Sequence, residues 1–373
     1  MSNSVLRKHW GFDGVIESDC GALSHILDQH KYVKDKLHAA AASMNGTCDV
    51  ECDSVYSGSL LTAHTAGLVT QTQLAAAARR IMTHRFKLGL FSDPRGTTYF
   101  GGKYNQSTSV HSDENAAIAR EAAQQGVVVV QNDPIGSTSA SGQPTPILPL
   151  STATVKSIAL IGPMGDITDP FLGDYRPAAC PGPAKSAPEG TACLPTLRQL
   201  LAKRAPAVTL HVANGCGNGS ASVPCDTPAS PVTPAVTAAM AASEIIILAI
   251  GEKVTDNDHA GNTGGEGHDR STIGLPGRQA ELVLAAIASK KPVIAVILSG
   301  GSVSVDALKT AAASASGSSP VAVVYAGFGG ETGQNAIVDV LFGDAPASGR
   351  LPFTVYPESC EYRRAVPSSL HCA

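Results

Sequence analysis

The sequence predicts an α/β protein in two parts: a short β/α unit over residues 1–95 and a three-layer α/β sandwich over residues 113–357. Three observations predict it. Six runs of strand length recur through the second part, most of them continuously apolar without polar alternation, the pattern of strands covered by helices on both faces. Helical stretches fall between several of those runs, the rhythm of a mostly parallel sheet of about six strands. Residues 96–112, rich in Gly, Ser, Thr and Asn, read as a linker between this region and an earlier strand–helix–strand–helix stretch.

In the first part, Gly14–Ser18 reads as a strand and is followed by a helical stretch through Ala39–Met44. Cys48–Cys52 is a second short strand, with helical patterns near Ser59–Gly67 and Gln73–Leu88. Two strands can neither close a barrel nor cover both faces of a parallel sheet. The turn Asp93-Pro-Arg-Gly96 ends this part. Asp113 is placed to cap an alanine-rich helix that stops at Gly126. The strands of the sandwich are Val127–Gln131, Ser157–Ile161, Val208–Val212, Glu244–Ile250, Pro292–Leu298 and Val321–Tyr325. Helices fall at Thr196–Arg204, Thr233–Ala242, Leu282–Ser289 and Asn335–Phe342, with Thr233-Pro234 a strong helix start. The Ser/Pro/Gly-rich stretches 134–149 and 181–191 read as surface loops, and residues 358–373 as a tail.

Composition narrows the function classes. Of 373 residues, 43% are hydrophobic and 16% charged, which is the balance of a globular chain. The net charge of -4 comes without long charge runs, so nothing points to nucleic acid or to a membrane surface. No apolar run approaches the roughly 18 residues of a spanning helix. Nine cysteines are many for a reduced compartment. Cys48/Cys52, Cys180/Cys193 and Cys216/Cys225 form local pairs in loop-like sequence, and none has the Cys/His neighbours that complete a zinc site. Disulfides are the better reading, with an odd cysteine left over. Sequons at Asn45, Asn105 and Asn218 fit a secreted protein. The N-terminus MSNSVLRKHW has no apolar core and is not a signal peptide, so the secreted character belongs to a parent protein.

Two carboxylates stand out. Asp19 lies just past the C-terminal end of the first strand, where it is placed either to cap the next helix or to act chemically at a strand mouth. Asp13, before Gly14, reads as a turn residue. Glu266 sits in Gly264-Gly-Glu-Gly-His-Asp-Arg270, a polar loop after the strand Glu244–Ile250. Its flanking glycines free the backbone and let the side chain project. The loop reads either as a solvated acidic segment or as a ligand-facing one, since ligands in open α/β sheets bind beyond strand C-termini. Asp269 and Arg270 are placed to brace it as an ion pair.

Gly11-Phe-Asp-Gly-Val followed by Ser18-Asp-Cys resembles the nucleophile strand of family-three glycoside hydrolases, in the β-xylosidase/α-arabinofuranosidase branch. Glu266-Gly-His-Asp-Arg270 with Leu275-Pro-Gly277 is similar to the segment that carries the acid/base in that family. Leu88-Gly-Leu-Phe91, Asp93-Pro-Arg95, Val130-Gln-Asn132 and Ile147-Leu-Pro-Leu150 also match. So do Ile161-Gly-Pro163, Gly329-Gly-Glu-Thr-Gly333 and Gly349-Arg-Leu-Pro352, all in the family's order from about residue 4 to 358.

The resemblance implies that residues 1–95 are the C-terminal remnant of a (β/α) barrel carrying the nucleophile Asp19. The sandwich then carries the acid/base Glu266. The activity implied is that of a retaining exo-glycosidase releasing terminal β-D-xylosyl, or related arabinosyl or glucosyl, residues in cell-wall polysaccharide breakdown. The partner is a glycoside substrate, and neither cofactor nor metal is required. A full barrel takes about 250 residues. The strands that grip the sugar lie upstream of Asp19 in the family, so this chain alone is expected to be weakly active or inactive. Gly21 departs from the branch, which has an acidic residue there, and Cys360 and Cys372 are expected to lack their usual partners. The alternative is a non-catalytic carbohydrate-binding relic or inactive fragment. A nucleotide-binding protein or a serine hydrolase is excluded by the lack of a correctly spaced glycine loop or nucleophile elbow.

Overall fold

The computed structural model describes residues 2–97, 100, 109, 112–138, 144–173, 194–216, 225, 230–252, 270, 272–308, 319–358, 360–361 and 371–372. The chain forms two compact units, Met1–Val110 and His111–Ala373. Among the described residues no helix is long and apolar enough to cross a membrane.

The first unit is mostly helical. A π-helical stretch, Ser2–His9, precedes α1 (Ala22–Asp28), α2 (Lys36–Asn45), α3 (Val55–Thr65) and α4 (Gln71–Lys87). Local chemistry fixes the ends of these helices. Asp35 caps α2 by accepting from the His38 amide, and Thr70 and Gln73 form a reciprocal capping box at the start of α4. Helix α4 ends in a Schellman motif: the Gly89 amide donates to the Phe86 carbonyl and the Leu90 amide to that of Arg85. Gly89 takes the left-handed φ of 74° that this closure needs, which gives the Leu-Gly-Leu-Phe motif a structural reason. Asp93 then caps a 3-10 turn at Pro94–Gly96. Small side chains let the helices approach closely. Ala41, Met44, Ala63, Val69 and Ala77 form one buried cluster, and Leu23, Ala39, Ala40 and Val55 another. Much apolar surface stays outside these clusters, including Trp10, Tyr32, Leu61, Phe86 and Leu88.

The two strands expected here, Gly14–Ser18 and Cys48–Cys52, run parallel but share a single bridge, Glu17 with Val50. Neither grows into a regular strand among the described residues.

The second unit is a three-layer α/β sandwich. Its sheet strands are β1 (Val128–Asn132), β4 (Ser157–Ile161), β5 (Thr209–Ala213), β6 (Ile245–Gly251), β7 (Val293–Leu298) and β8 (Val321–Tyr325). They lie in the order β1-β8-β7-β6-β4-β5, all parallel except β1, which pairs antiparallel with β8. Helices α5 (Asp113–Gly126), α6 (Leu197–Arg204), α7 (Pro234–Ala241), α8 (Gln279–Ala288) and α9 (Gly333–Phe342) complete it. The all-apolar strands explain themselves. Ile245, Ile247 and Ala249 pack with Leu197 and Leu201 of α6 and Ile337 and Leu341 of α9. Ile246, Leu248 and Ile250 pack with Val236 of α7 and Leu282 and Val283 of α8 on the opposite face. Each of the Ile, Leu and Val side chains among them, withdrawn from water, contributes about 1.5–3 kcal/mol.

Three details differ from expectation. Ser112, not Asp113, caps α5, its Oγ accepting from the Asn115 amide. The stretch 134–149, expected to be loop, contains a small antiparallel pair, β2 (Pro134–Thr138) with β3 (Pro144–Pro146). Prolines lower strand propensity, but a two-stranded edge leaves one flank of each strand without a donor to supply. The final residues also pair, β9 (Cys360–Glu361) with β10 (His371–Cys372), which sets Cys372 opposite Cys360 in the register.

Candidate active site

In the first unit the segment 16–21 is laid against 49–52. The Asp49 amide donates to the Ile16 carbonyl at 2.8 Å, Ser18 to Val50 at 2.9 Å, and Gly21 to Cys52 at 3.0 Å. Asp19 falls inside this pairing, between the Ser18 and Gly21 bonds and two residues after the bridge at Glu17, and its side chain is exposed. Its Oδ1 accepts the Cys20 amide at 2.8 Å.

That geometry removes the capping reading of Asp19. The N-cap of α1 is Gly21, in the left-handed region at φ 77°, and it supplies no side-chain cap. The free Ser24 amide in the first turn of α1 is taken instead by Asp53, whose Oδ2 accepts it at 3.0 Å and the Ser24 hydroxyl at 2.5 Å. Asp53 thus caps α1 from the neighbouring segment, and these bonds hold its carboxyl below its usual range. Asp19 does not serve as the cap. The left-handed backbone also accounts for glycine at 21, where a β-carbon would be strained.

The local pairing of Cys48 with Cys52 is corrected. Cys52 is bonded to Cys20, 32 residues away, and Cys48 is free. Parallel registration brings 20 beside 52, whereas the Cys48 Sγ donates to the Val50 carbonyl at 3.2 Å. Burial pushes the Cys48 thiol up from its ordinary value. Cys216 and Cys225 are joined, while Cys180 and Cys193 lie outside the described residues. Asn45 ends α2, exposed, with its Oδ1 accepting from Gln73 at 2.6 Å. Asn105 and Asn218 lie outside the described residues.

At the other end of the paired segments is a charge cluster that the sequence did not reveal. The Asp49 carboxylate is fully buried, with Arg7 at 2.6 Å and Arg80 at 2.5 Å, and it also accepts the Ile16 amide at 3.0 Å. Its members are 42 and 31 residues apart, so no local spacing could have signalled it. Glu51, next along, accepts the Val55 amide at 3.0 Å and the Tyr56 amide, and so serves the start of α3.

In the second unit Glu266 lies outside the described residues, as does Asp269. The ends of its loop are described. β6 closes at Gly251, whose amide and carbonyl both bond the Gln279 side chain at 2.8 Å. A β-carbon on Gly251 would fall 1.9 Å from the Leu298 carbonyl, so only glycine fits between β6 and β7. Glu252 follows, buried, and accepts from Ser299 at 3.1 Å. Arg270 pairs with Glu252 at 3.2 Å and donates to the Ser302 carbonyl at 2.7 Å and that of Gly274 at 3.2 Å. Residues 252 and 270 are therefore joined at the C-terminal edge of the sheet. Among the described residues no three His, Cys, Asp or Glu side chains converge as a metal site.

Comparison with known proteins adds the family context. Residues 127–369 match the model of the glycosyl hydrolase family 3 C-terminal domain. The chain is 31% identical over 372 residues to β-D-xylosidase 3 of Arabidopsis thaliana, covering 99% of this chain and 41% of that protein. It is 32% identical over 372 residues to β-xylosidase/α-L-arabinofuranosidase 1 of Medicago sativa subsp. varia, covering 98% and 41%. Among solved structures it is similar to a GH3 exo-β-xylosidase, XlnD, in complex with a xylobiose aziridine activity-based probe. That likeness has a TM-score of 0.73 and 25% identity, over 96% of this chain and 40% of that one. A β-glucosidase from Listeria innocua in complex with isofagomine aligns with a TM-score of 0.68 and 25% identity, over 92% and 41%. The chain thus spans about two fifths of the length of these relatives.

Proposed function

The chain belongs to glycosyl hydrolase family 3, and from that premise we propose that it carries the two catalytic carboxylates of a retaining exo-glycosidase acting on terminal β-D-xylosyl or related arabinosyl and glucosyl residues. Asp19 is the nucleophile in this reading and Glu266 the acid/base. Ionised Asp19 attacks the anomeric carbon as Glu266 protonates the departing oxygen. The resulting glycosyl-enzyme is then hydrolysed by a water from which Glu266 takes a proton. Retention requires the two carboxyl groups about 5–5.5 Å apart. The setting is cell-wall polysaccharide breakdown by a secreted parent protein, a reading supported by the disulfides Cys20–Cys52 and Cys216–Cys225 among the described residues and by the xylosidase names of the relatives.

The observation that carries the proposal is the state of Asp19. Its carboxylate is exposed beside the paired segments and accepts one short-range bond from the next amide, while Asp53 does the helix capping. A carboxylate so placed has its second oxygen available for attack.

The test is covalent trapping. A 2-deoxy-2-fluoro-β-xylosyl fluoride should label the chain, and peptide mapping should find the label on Asp19, with no label in Asp19→Asn. A label on another residue overturns the assignment. Binding of xylose-configured ligands with no label and no turnover supports the alternative, a carbohydrate-binding chain without catalysis.

A further inference from the structure

Asp19 makes no described bond to the segment beside it, yet its neighbours on both sides do. Before it, the Ser18 amide donates to the Val50 carbonyl at 2.9 Å, and the Ser18 Oγ accepts the Cys52 amide at 3.2 Å. After it, Cys20 is covalently bonded to Cys52, and the Gly21 amide donates to the Cys52 carbonyl at 3.0 Å. One turn further on, Ser24 is held through its amide and hydroxyl by Asp53. Four consecutive residues, 50–53, therefore supply three that grip the Asp19 turn from either side.

We infer that the Cys20–Cys52 disulfide, acting with Ser18 and Asp53, is a positioning device for the Asp19 carboxylate. The inference rests on the reading of Asp19 as nucleophile. Its physical basis is the weakness of the alternative support. The two segments share one bridge, and regular strand pairing that short holds little on its own. Cys20 is the residue immediately after Asp19, so the crosslink fixes the backbone one residue from the reacting carboxylate. Positioning of that kind matters because a misplacement of about 1 Å can cost roughly a hundredfold in rate.

The device is separable from the fold. The opposite end of the paired segments is fixed by buried Asp49 with Arg7 and Arg80, and the helices pack through their own alanine-rich clusters. Loss of the crosslink should therefore loosen the Asp19 turn and leave the rest. Both cysteines are exposed, so a small dithiol can reach them. Reduction transfers two electrons and two protons: the S–S bond breaks to two thiols, and the dithiol becomes its cyclic disulfide.

The experiment compares the full chain with the Cys20→Ser/Cys52→Ser double variant, which leaves Cys216–Cys225 untouched. Deuterium exchange in the peptide Ile16–Ser24 should be at least about tenfold faster in the variant, with α2 and α4 unchanged. Unchanged exchange in that peptide overturns the inference, as does equal acceleration throughout the unit. In the second arm, the limiting rate of labelling by the fluoroxylosyl fluoride should fall roughly ten- to a hundredfold, with the half-saturating concentration within about twofold of the parent. Labelling of Asp19 at the parent's rate in the variant overturns the inference too. Absence of any label on Asp19 in the parent sinks the nucleophile reading, and the exchange arm then still decides whether the crosslink fixes the turn.

Discussion

The two units anchor their candidate segments by opposite means. In the second, β6 is buried along its whole length between strands and two helical layers, and the loop leaves from a frame of apolar contacts. In the first, the segment leading to Asp19 has one bridge to its neighbour, and discrete polar and covalent links do the rest: Arg7–Asp49–Arg80 at one end, Cys20–Cys52 and Asp53–Ser24 at the other. A layered core spreads its support over many weak contacts, each of which can be lost at modest cost. A clamp concentrates support in a few groups, so single changes are felt sharply and solution chemistry can act on it.

The comparison breaks first at Asp49. Asp49→Ala leaves two guanidinium groups facing a buried site with no counter-charge, which should cost about 3–5 kcal/mol. Denaturant unfolding followed by exchange in α4 should register the loss in the first unit alone. An effect under about 1 kcal/mol would mean that the cluster is no clamp. Next is a core deletion in the second unit. Ile247, fully buried in the middle of β6, should cost about 2–5 kcal/mol when replaced by Ala, through lost burial and the cavity left behind. Its effect should stay within the sandwich; equal loosening of α4 would mean that the two units do not keep separate supports.

A smaller effect concerns the spare thiol. The thiolate is the attacking species in disulfide exchange, and burial raises the pKa of Cys48, so the group stays protonated through neutral pH. Non-reducing peptide maps should show Cys20–Cys52 intact after incubation at neutral pH and Cys48-linked isomers only under alkaline conditions. Isomers at neutral pH would refute it. The smallest effect is expected at the surface of the second unit, where Arg204 pairs with Asp344 at 2.6 Å and both side chains are substantially exposed. The side-chain bond from Arg204 lowers the Asp344 pKa, so any stabilisation is present above the unfolded value and is lost as pH falls through the lower, folded one. Solvent screening limits it to below about 1 kcal/mol. Arg204→Ala should therefore lower stability slightly at pH 7, with the deficit shrinking toward zero in strong acid, as read by thermal melts across pH.

What could be read in advance follows the same division. The six strands of the sandwich announce themselves because runs such as Ile245–Ile250 have no polar face to misassign. The reversed direction of β1 was not legible, since direction depends on which partner a strand finds, and β1 finds β8 almost two hundred residues on. The β2–β3 pair was hidden by Pro134, Pro144 and Pro146. In the first unit Asp19 could be placed at a strand end, but its freedom from capping depends on Asp53, 29 residues beyond Ser24. The Cys20–Cys52 bond was missed for a related reason. Nearness in sequence favours Cys48 with Cys52, whereas parallel registration favours Cys20. Arg7, Asp49 and Arg80 carried no signal at all, because tertiary packing alone assembles them.

Asp53's capping of α1 has a consequence for how this chain tolerates change. An exposed side chain with one local bond is worth little to stability, so most replacements at position 19 should leave the fold standing within about 0.5 kcal/mol. Replacement at 53 strips the first turn of α1 of its acceptor and is paid in folding. On the proposed reading of Asp19, the two aspartates are answerable to different tests: one is kept or lost according to what the chain does, the other according to whether it folds. Lineages could shed the chemistry and keep the scaffold without passing through an unfolded intermediate, and a change at 19 would leave no trace in expression or solubility.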